Sequence, residues 1–522
     1  MKFDVPRLIL AGLGGGCGKT FLAVGVARAL RDRGTRVFPF KKGPDYIDAA
    51  WLSRAAGISC RNLDVHLAGP AAVVRALTEH GGGMPRRAGG RGLRMEAAGT
   101  NPARAGSHLP MPRRGSIAVI EGARGLFDAM DDAGTTSTAH LARLLSCPVV
   151  LVVDCTKVTR TVASLVLGCR ATDRRLRLAG VVLNRIANAR HEANIRSAVA
   201  DLCDVPVLGA LPRSAAAAVP ERHLGLVMPD EHAAAEESVA ATAEVIGRHV
   251  DLDALLDLAA EAPALSAPAA SGVRSAVRPL DRSPRIGVVR DSAFSFYYPE
   301  NLEALEAAGA TLVFVDATRD DVLPEVDALY VGGGFPETQA DRLASRPGFA
   351  RSLRAAVEEG LPVYAECGGA VYCGRSVRVG DDVRPMAGVL PIDFVLHRAP
   401  QGHGYVELEA TGENPFFAAG SRVAGHEFHY TAAAELPPGL STGFRVLRGR
   451  GFGCGGDGIR YKNLLAVYSH VHASGVPDWA PGIVASAVRF AEGREARRAR
   501  PARVASPTGD DGASVFIWSN AP

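Results

Sequence analysis

A glycine-rich loop, Gly12 to Thr20 (GLGGGCGKT), stands between the apolar run RLILAG and a helical pattern, FLAVGVARALRDRG, that Gly34 closes. Such a loop turns successive backbone N–H groups toward a polyphosphate, and it does so where a strand delivers it and a helix N-terminus receives it. That requirement sets the first layer of the fold: a buried strand, a turn and a crossover helix, the repeating unit of a parallel sheet. Within the loop, Gly12, Gly14, Gly15, Gly16 and Gly18 are assigned to ATP binding. Lys19 supplies a point charge for the β and γ phosphates, and Thr20 a hydroxyl ligand for Mg²⁺. Cys17 reads as a small residue filling the loop.

The same alternation continues along the chain. RVFPFK, SIAVIEG, PVVLVVD and LAGVVLNR read as further buried strands of a first domain. RIGVVRD, ATLVFVD, ALYVGGG and LPVYAEC, with helices such as ENLEALEAAG between them, read as a second. Two mainly parallel sheets, each covered by helices on both faces, are the expected α/β architecture, with ligands beyond the carboxyl ends of the strands. A length of 522 residues exceeds what one hydrophobic core organises. Composition breaks divide it into an ATP-binding domain over 1–260, a linker over 261–283, a second domain over 284–492 and a disordered tail over 493–522. A Gly, Pro and Arg rich insertion at 80–115 interrupts the first domain.

A formal net charge of +4 is small for this length and gives no argument for nucleic-acid binding. No apolar run is long enough to span a bilayer. Nine scattered cysteines, odd in number and without a signal peptide ahead of them, point to a reducing cytoplasm.

Two acidic motifs end the second and third strands, and they converge on the phosphate loop if those strands are neighbours. FKKGPDYID (Phe40 to Asp48) and IEGARGLFDA (Ile120 to Ala129) bring Asp45, Asp48, Glu121 and Asp128 toward the phosphate loop, where carboxylates can hold Mg²⁺. Lys41 and Lys42 can neutralise ATP or an acidic substrate. In the second domain, Cys367 of VYAECGG follows an apolar strand and precedes two glycines, the setting of a nucleophile on a sharp strand-to-helix turn. A nearby helix N-terminus favours its thiolate. Gly333 and Gly334 of GGGFPE, with Gly368, offer backbone N–H groups for an oxyanion hole.

Taken in order, GxxxGxGKT, FKKGPDYID, RNLD (Arg61 to Asp64), EGARGLFD, GGGFPET, YAECGG, GHEFHY and YSHVH resemble the cobyrinic acid a,c-diamide synthases. These are glutamine-dependent amidotransferases acting on a corrin precursor. The resemblance implies a dethiobiotin-synthetase-like P-loop domain joined to a class I glutamine amidotransferase-like domain. It also implies ATP and glutamine as co-substrates, Mg²⁺ as cofactor and a tetrapyrrole polycarboxylate as acceptor, and it leaves a homodimer open. Thr20, Asp48 and Glu121 are then assigned to the metal, and Lys41, Asp45, Tyr46 and Asp128 to the substrate or acyl phosphate. Cys367 is the nucleophile, and His470 of YSHVH stands where the family carries its base, with His472 as fallback. His426 and His429 of GHEFHY are placed beside the substrate or in support. The resemblance provides no acidic third member of a triad after His470. Ala129 replaces a glycine usual after GLFD, and Ala473 and Ser474 follow the second histidine where His-Phe is common. Nickel sirohydrochlorin and the cobyric acid synthase reaction are the alternatives within the class. A switch ATPase of the ParA or MinD kind would carry a lysine where this loop has Gly14.

Overall fold

The structure, a computed structural model, describes residues 1–85, 114–214, 221–222, 225–268 and 283–499. Most of the predicted insertion, the linker and the tail lie outside the described residues. Their described ends are regular. The helix Pro70–His80 leads into the insertion, the short strand Met84–Pro85 lies within its first residues, and the last helix runs Trp479–Ala499, past Glu492.

The first domain holds a 7-stranded sheet of β1 (Arg7–Gly12), β2 (Thr35–Lys42), β3 (Arg61–Leu63), β4 (Arg114–Glu121), β5 (Val149–Asp154), β6 (Leu178–Ile186) and β7 (Val207–Pro212), in the order β3-β2-β4-β1-β5-β6-β7. Every pairing is parallel. Continuous apolar runs form these strands because alternate residues feed two separate cores. Leu8 and Leu10 of β1, Ile117 and Val119 of β4, and Val150 and Val152 of β5 pack on one face with α1 (Lys19–Asp32) and α2 (Ile47–Ala56). Ile9, Ala118, Ile120, Leu151 and Val153 pack on the other. The sheet order sets β1 between β4 and β5, so the phosphate loop and the end of EGARGLFD emerge side by side.

The second domain holds a 10-stranded sheet that is only half parallel. Its parallel half comprises β8 (Arg285–Val289), β9 (Thr311–Val315), β10 (Ala328–Val331), β11 (Val363–Glu366) and β16 (Leu464–Val467). An antiparallel half continues it with β12 (Gly402–Ala410), β13 (Arg422–His429), β14 (Ser441–Arg448), β15 (Gly456–Tyr461) and β17 (His470–Val471), giving the order β9-β8-β10-β11-β16-β15-β14-β12-β13-β17. This corrects the expectation of a second mainly parallel sheet. The antiparallel strands alternate apolar and polar residues, as in VELEA, because one face of that half is polar.

The domains meet through specific polar contacts. Arg61 Nη1 donates to Glu300 at 2.9 Å, Tyr405 Oη to Asp64 at 2.7 Å, and Tyr298 Oη to the Pro44 carbonyl at 3.1 Å. Gly475 lies so close to the Leu67 carbonyl that a Cβ would strike it. Among the described residues, no helix is long and apolar enough to cross a membrane.

Candidate active site

The phosphate loop is held from beneath. Asn184, on β6, donates its side-chain amide to the Cys17 carbonyl at 2.9 Å in a buried contact. Gly18 has φ 95°, and a Cβ there would strike the Asn184 amide, so the position needs glycine for both conformation and space. Lys19 folds onto its own loop, donating to the Gly14 carbonyl at 2.8 Å. Gly15, Gly16, Gly18, Lys19 and Thr20 line a cavity of about 880 Å³. Gly12 instead ends β1, where a Cβ would strike Cys17 Sγ; its smallness seats the loop on the strand.

Thr20, Lys41, Asp48 and Glu121 form one cluster. Lys41 Nζ donates to Asp48 at 2.6 Å and to Glu121 Oε1 at 2.8 Å, and the Thr20 hydroxyl donates to the same Oε1 at 2.7 Å. Glu121 is fully buried, and its Oε2 has no hydrogen-bond partner. Burial raises its carboxyl to about 7 against the pull of Lys41. Burial also works against the Lys41 ammonium, but the surrounding carboxylates of Asp48, Glu121 and Asp45 outweigh it and raise its pKa. Asp45 is exposed on the cavity wall and accepts the Asp48 N–H at 2.9 Å; partial desolvation there and the charge of Asp48 push its carboxyl up. Asp128 turns back to accept the Gly125 N–H at 2.7 Å while lining the cavity. Ala129 beside it is exposed and has no positive φ, so the missing glycine costs the loop nothing. Asn62 of RNLD donates to the carbonyls of Gly43 and Asp45 at 2.7 and 2.9 Å and fixes the turn that carries Tyr46.

Cys367 lies in the same cavity. It follows β11 and begins the short helix Gly368–Cys373, with φ 47°, a conformation rare for a residue bearing a Cβ. Its neighbours are glycines because backbone approaches backbone: a Cβ on Gly368 would lie 2.7 Å from the Gly334 carbonyl, and one on Gly334 would strike the Ala293 carbonyl. Gly333 backs onto the His470 ring, where a Cβ would strike Cε1. Burial pushes the Cys367 thiol well above its ordinary value, and Glu337 adds to this; the Gly368 amide opposes it. Burial of the sulfur thus opposes the thiolate that the helix N-terminus favours.

His470 on β17 pairs in register with His426 on β13, and their rings stack at 4.9 Å. Burial pushes His426 well below the usual imidazole range, with His470 next in effect, so it is neutral. His472 follows β17 and turns toward the domain contact, with Nε2 3.7 Å from Glu300. It does not line the cavity. His429 points to the opposite face from His426, its ring 3.7 Å from that of Tyr468.

A buried carboxylate does face His470. Glu366, the residue before the cysteine, has Oε2 3.7 Å from His470 Nδ1, and it accepts the Tyr330 hydroxyl at 2.8 Å on that oxygen. His470 Nδ1 makes no hydrogen bond among the described residues, so Glu366 stands within ion-pair distance of it without being bonded to it. The carboxylate facing the His470 ring thus comes from beside the nucleophile, not from the residues after His470.

Tyr46, carried by the first domain, closes the arrangement. Its ring stacks on Phe296 at 4.9 Å and Tyr298 at 4.5 Å and lies 5.3 Å from His470. Phosphate loop, acidic cluster, Tyr46, Cys367 and His470 thus line one continuous space built by two domains.

Two family models divide the chain along the same lines. The CobQ/CobB/MinD/ParA nucleotide binding domain matches residues 8–227, and the CobB/CobQ-like glutamine amidotransferase domain matches 285–477. The cobyrinate a,c-diamide synthase of Magnetococcus marinus is 40% identical over 92% of this chain and 97% of its own. That of Methanothermobacter thermautotrophicus is 36% identical over 93% and 100%, and that of Salmonella typhimurium 35% identical over 92% and 98%. The chain belongs to the cobyrinate a,c-diamide synthase family. In this family member, Glu366, Tyr330, Asn62 and Asn184 are site residues that motif spacing did not single out. Asn62, within RNLD, and Glu366, beside Cys367, carried a signal; Tyr330 and Asn184 carried none.

Proposed function

We infer that the chain is a glutamine-hydrolysing ligase that uses ATP to convert the a and c acetate carboxylates of cobyrinate, or of its metal-free counterpart hydrogenobyrinate, to amides in cobalamin biosynthesis. The observation that carries this reading is the single cavity shared by the phosphate loop and Cys367. In that space ammonia released at one site can reach the other without being protonated in bulk water.

The Cys367 sulfur attacks the glutamine carboxamide as its proton passes to His470. Gly334 and Gly368 line the cavity beside the sulfur and are suited to receive the oxyanion. His470 returns the proton to the departing ammonia, and water then hydrolyses the thioester to glutamate. Glu366 holds the imidazole ring through its Nδ1 side. In the nucleotide-binding domain, the substrate carboxylate attacks the γ phosphorus and displaces ADP, with Lys19 countering the charge that develops. Ammonia adds to the acyl phosphate and expels phosphate, leaving the amide. Thr20, Asp48 and Glu121 would hold Mg²⁺, which supplies charge neutralisation at the phosphates when bound. The fit is chemical: two carboxylates and a hydroxyl converge, and Glu121 Oε2 is a buried oxygen without a partner. Asp45 and Asp128, on the cavity wall beside this cluster, and Lys41 within it, are assigned to the acceptor and its acyl phosphate. A cytoplasmic site of action belongs to the same reading, supported by nine free cysteines.

The test is amidation of cobyrinate followed by mass, with ATP, Mg²⁺ and either glutamine or ammonia. Cys367→Ser is expected to lose glutamine-driven amidation and keep the ammonia-driven reaction, whereas Lys19→Ala is expected to lose both. Survival of glutamine-driven turnover in the cysteine variant would refute the assignment.

A further inference from the structure

One face of the β12–β13 hairpin carries residues that neither the glutamine chemistry nor the phosphate chemistry uses. Strand alternation puts His426 and Phe428 on the same face of β13, and register places His403 opposite Phe428 and His470 opposite His426. A stripe therefore runs from the catalytic imidazole, through His426, to Phe428 and His403. Phe428 is 43% exposed although wholly apolar, and its exposed side looks into the shared cavity. The rings of His403 and Tyr430 lie 4.9 and 5.6 Å from it and extend the aromatic surface.

Cations frame this surface from both domains. Arg448, opposite Glu407 on the neighbouring strand β14, enters from the amidotransferase side. Arg124 and Lys42 enter from the nucleotide-binding side. Arg124 has φ 53°, a strained setting that leaves its side chain exposed, with Nη2 3.3 Å from His403 Nε2. Burial and the charge of Arg124 both keep His403 below the usual imidazole range, so this contact is no ion pair. Among the described residues, Arg124, Arg448 and Lys42 make no salt bridge, although Arg185 in the same cavity is paired with Asp154. Two exposed arginines and a partly buried lysine, which burial holds below its usual range and which Asp64 and Asp128 face, surround an exposed aromatic patch and match a ligand with an apolar ring and a fringe of carboxylates.

We propose that this face of the hairpin, with Phe428 beneath and Arg448, Arg124 and Lys42 at the rim, is the bed on which the macrocyclic polycarboxylate acceptor lies. It rests on the acceptor class inferred above. The amidotransferase domain then supplies half of the acceptor site. One acetate reaches toward Lys19 and the phosphate loop while the remaining carboxylates engage the rim.

The test measures cobyrinate binding by titration calorimetry and steady-state KM values for Phe428→Ala and Arg448→Gln. Each variant is expected to raise the Kd and KM for cobyrinate, Arg448→Gln by about ten-fold, with glutamine and with ammonia as nitrogen source alike. The KM for glutamine is not expected to follow. Circular dichroism and the wild-type KM for ATP check that each variant is folded. An unchanged cobyrinate Kd in both folded variants, or a rise confined to the glutamine KM, would overturn the bed while leaving the ligase reading intact. A wild-type protein that binds no cobyrinate would overturn the acceptor class itself.

Discussion

Glu366 shows how a single residue can hold a role that its neighbours in sequence conceal. Glu366 is the last residue of β11 and directly precedes the cysteine, yet its carboxylate lies toward the imidazole that the cysteine needs. The carboxylate is buried, bonded to Tyr330 and 3.7 Å from His470 Nδ1. Removing its charge while keeping its shape should loosen the ring and destabilise the imidazolium formed in the transition state. Glu366→Gln is expected to lower kcat for glutamine hydrolysis by about 100-fold or more, with ammonia-driven amidation spared. Measuring both rates on one preparation checks this, and an equal loss in both would point to a folding defect instead. Tyr330→Phe keeps the carboxylate and should give a smaller loss of the same kind.

At the scale of elements, the ends of strands do the positioning. Asn184 reaches from β6 under the phosphate loop, so the loop's shape depends on a strand two places away in the sheet. Asn184→Ala leaves the Cys17 carbonyl buried without its donor, a cost of about 1–3 kcal/mol, and is expected to raise the KM for ATP by roughly ten-fold. Initial-rate kinetics at varied ATP reads it directly; an unchanged KM would mean the loop holds itself. The strands of the first sheet were legible because each is an unbroken apolar run feeding two cores. The antiparallel half of the second sheet was not, because its strands, VELEA and RVAGHEFH among them, mix polar with apolar residues and none is the unbroken apolar run that marked the parallel strands. The acidic cluster could be expected from strand ends alone. Its internal order, with Lys41 clamped between Asp48 and Glu121, needed side-chain geometry.

For the whole molecule, RNLD marks the joint between domains. Arg61 and Asp64 both bond across it, to Glu300 and Tyr405, while Asn62 between them steadies the turn of Tyr46. No spacing rule reveals this, since the partners lie more than two hundred residues away. Arg61→Ala leaves Glu300 without its cation, at a cost of about 2–5 kcal/mol. It is expected to let the domains part enough that glutamate formed per amide rises above the wild-type ratio. Counting both products in one reaction checks it, and an unchanged ratio would show that the other contacts suffice. The wedge of Tyr46 between Phe296, Tyr298 and His470 carries a lesson for recombination of such enzymes. The floor of the amidotransferase pocket is borrowed, so a chimera exchanging one half for that of another amidotransferase must bring the Pro44 to Asp48 turn as part of the graft.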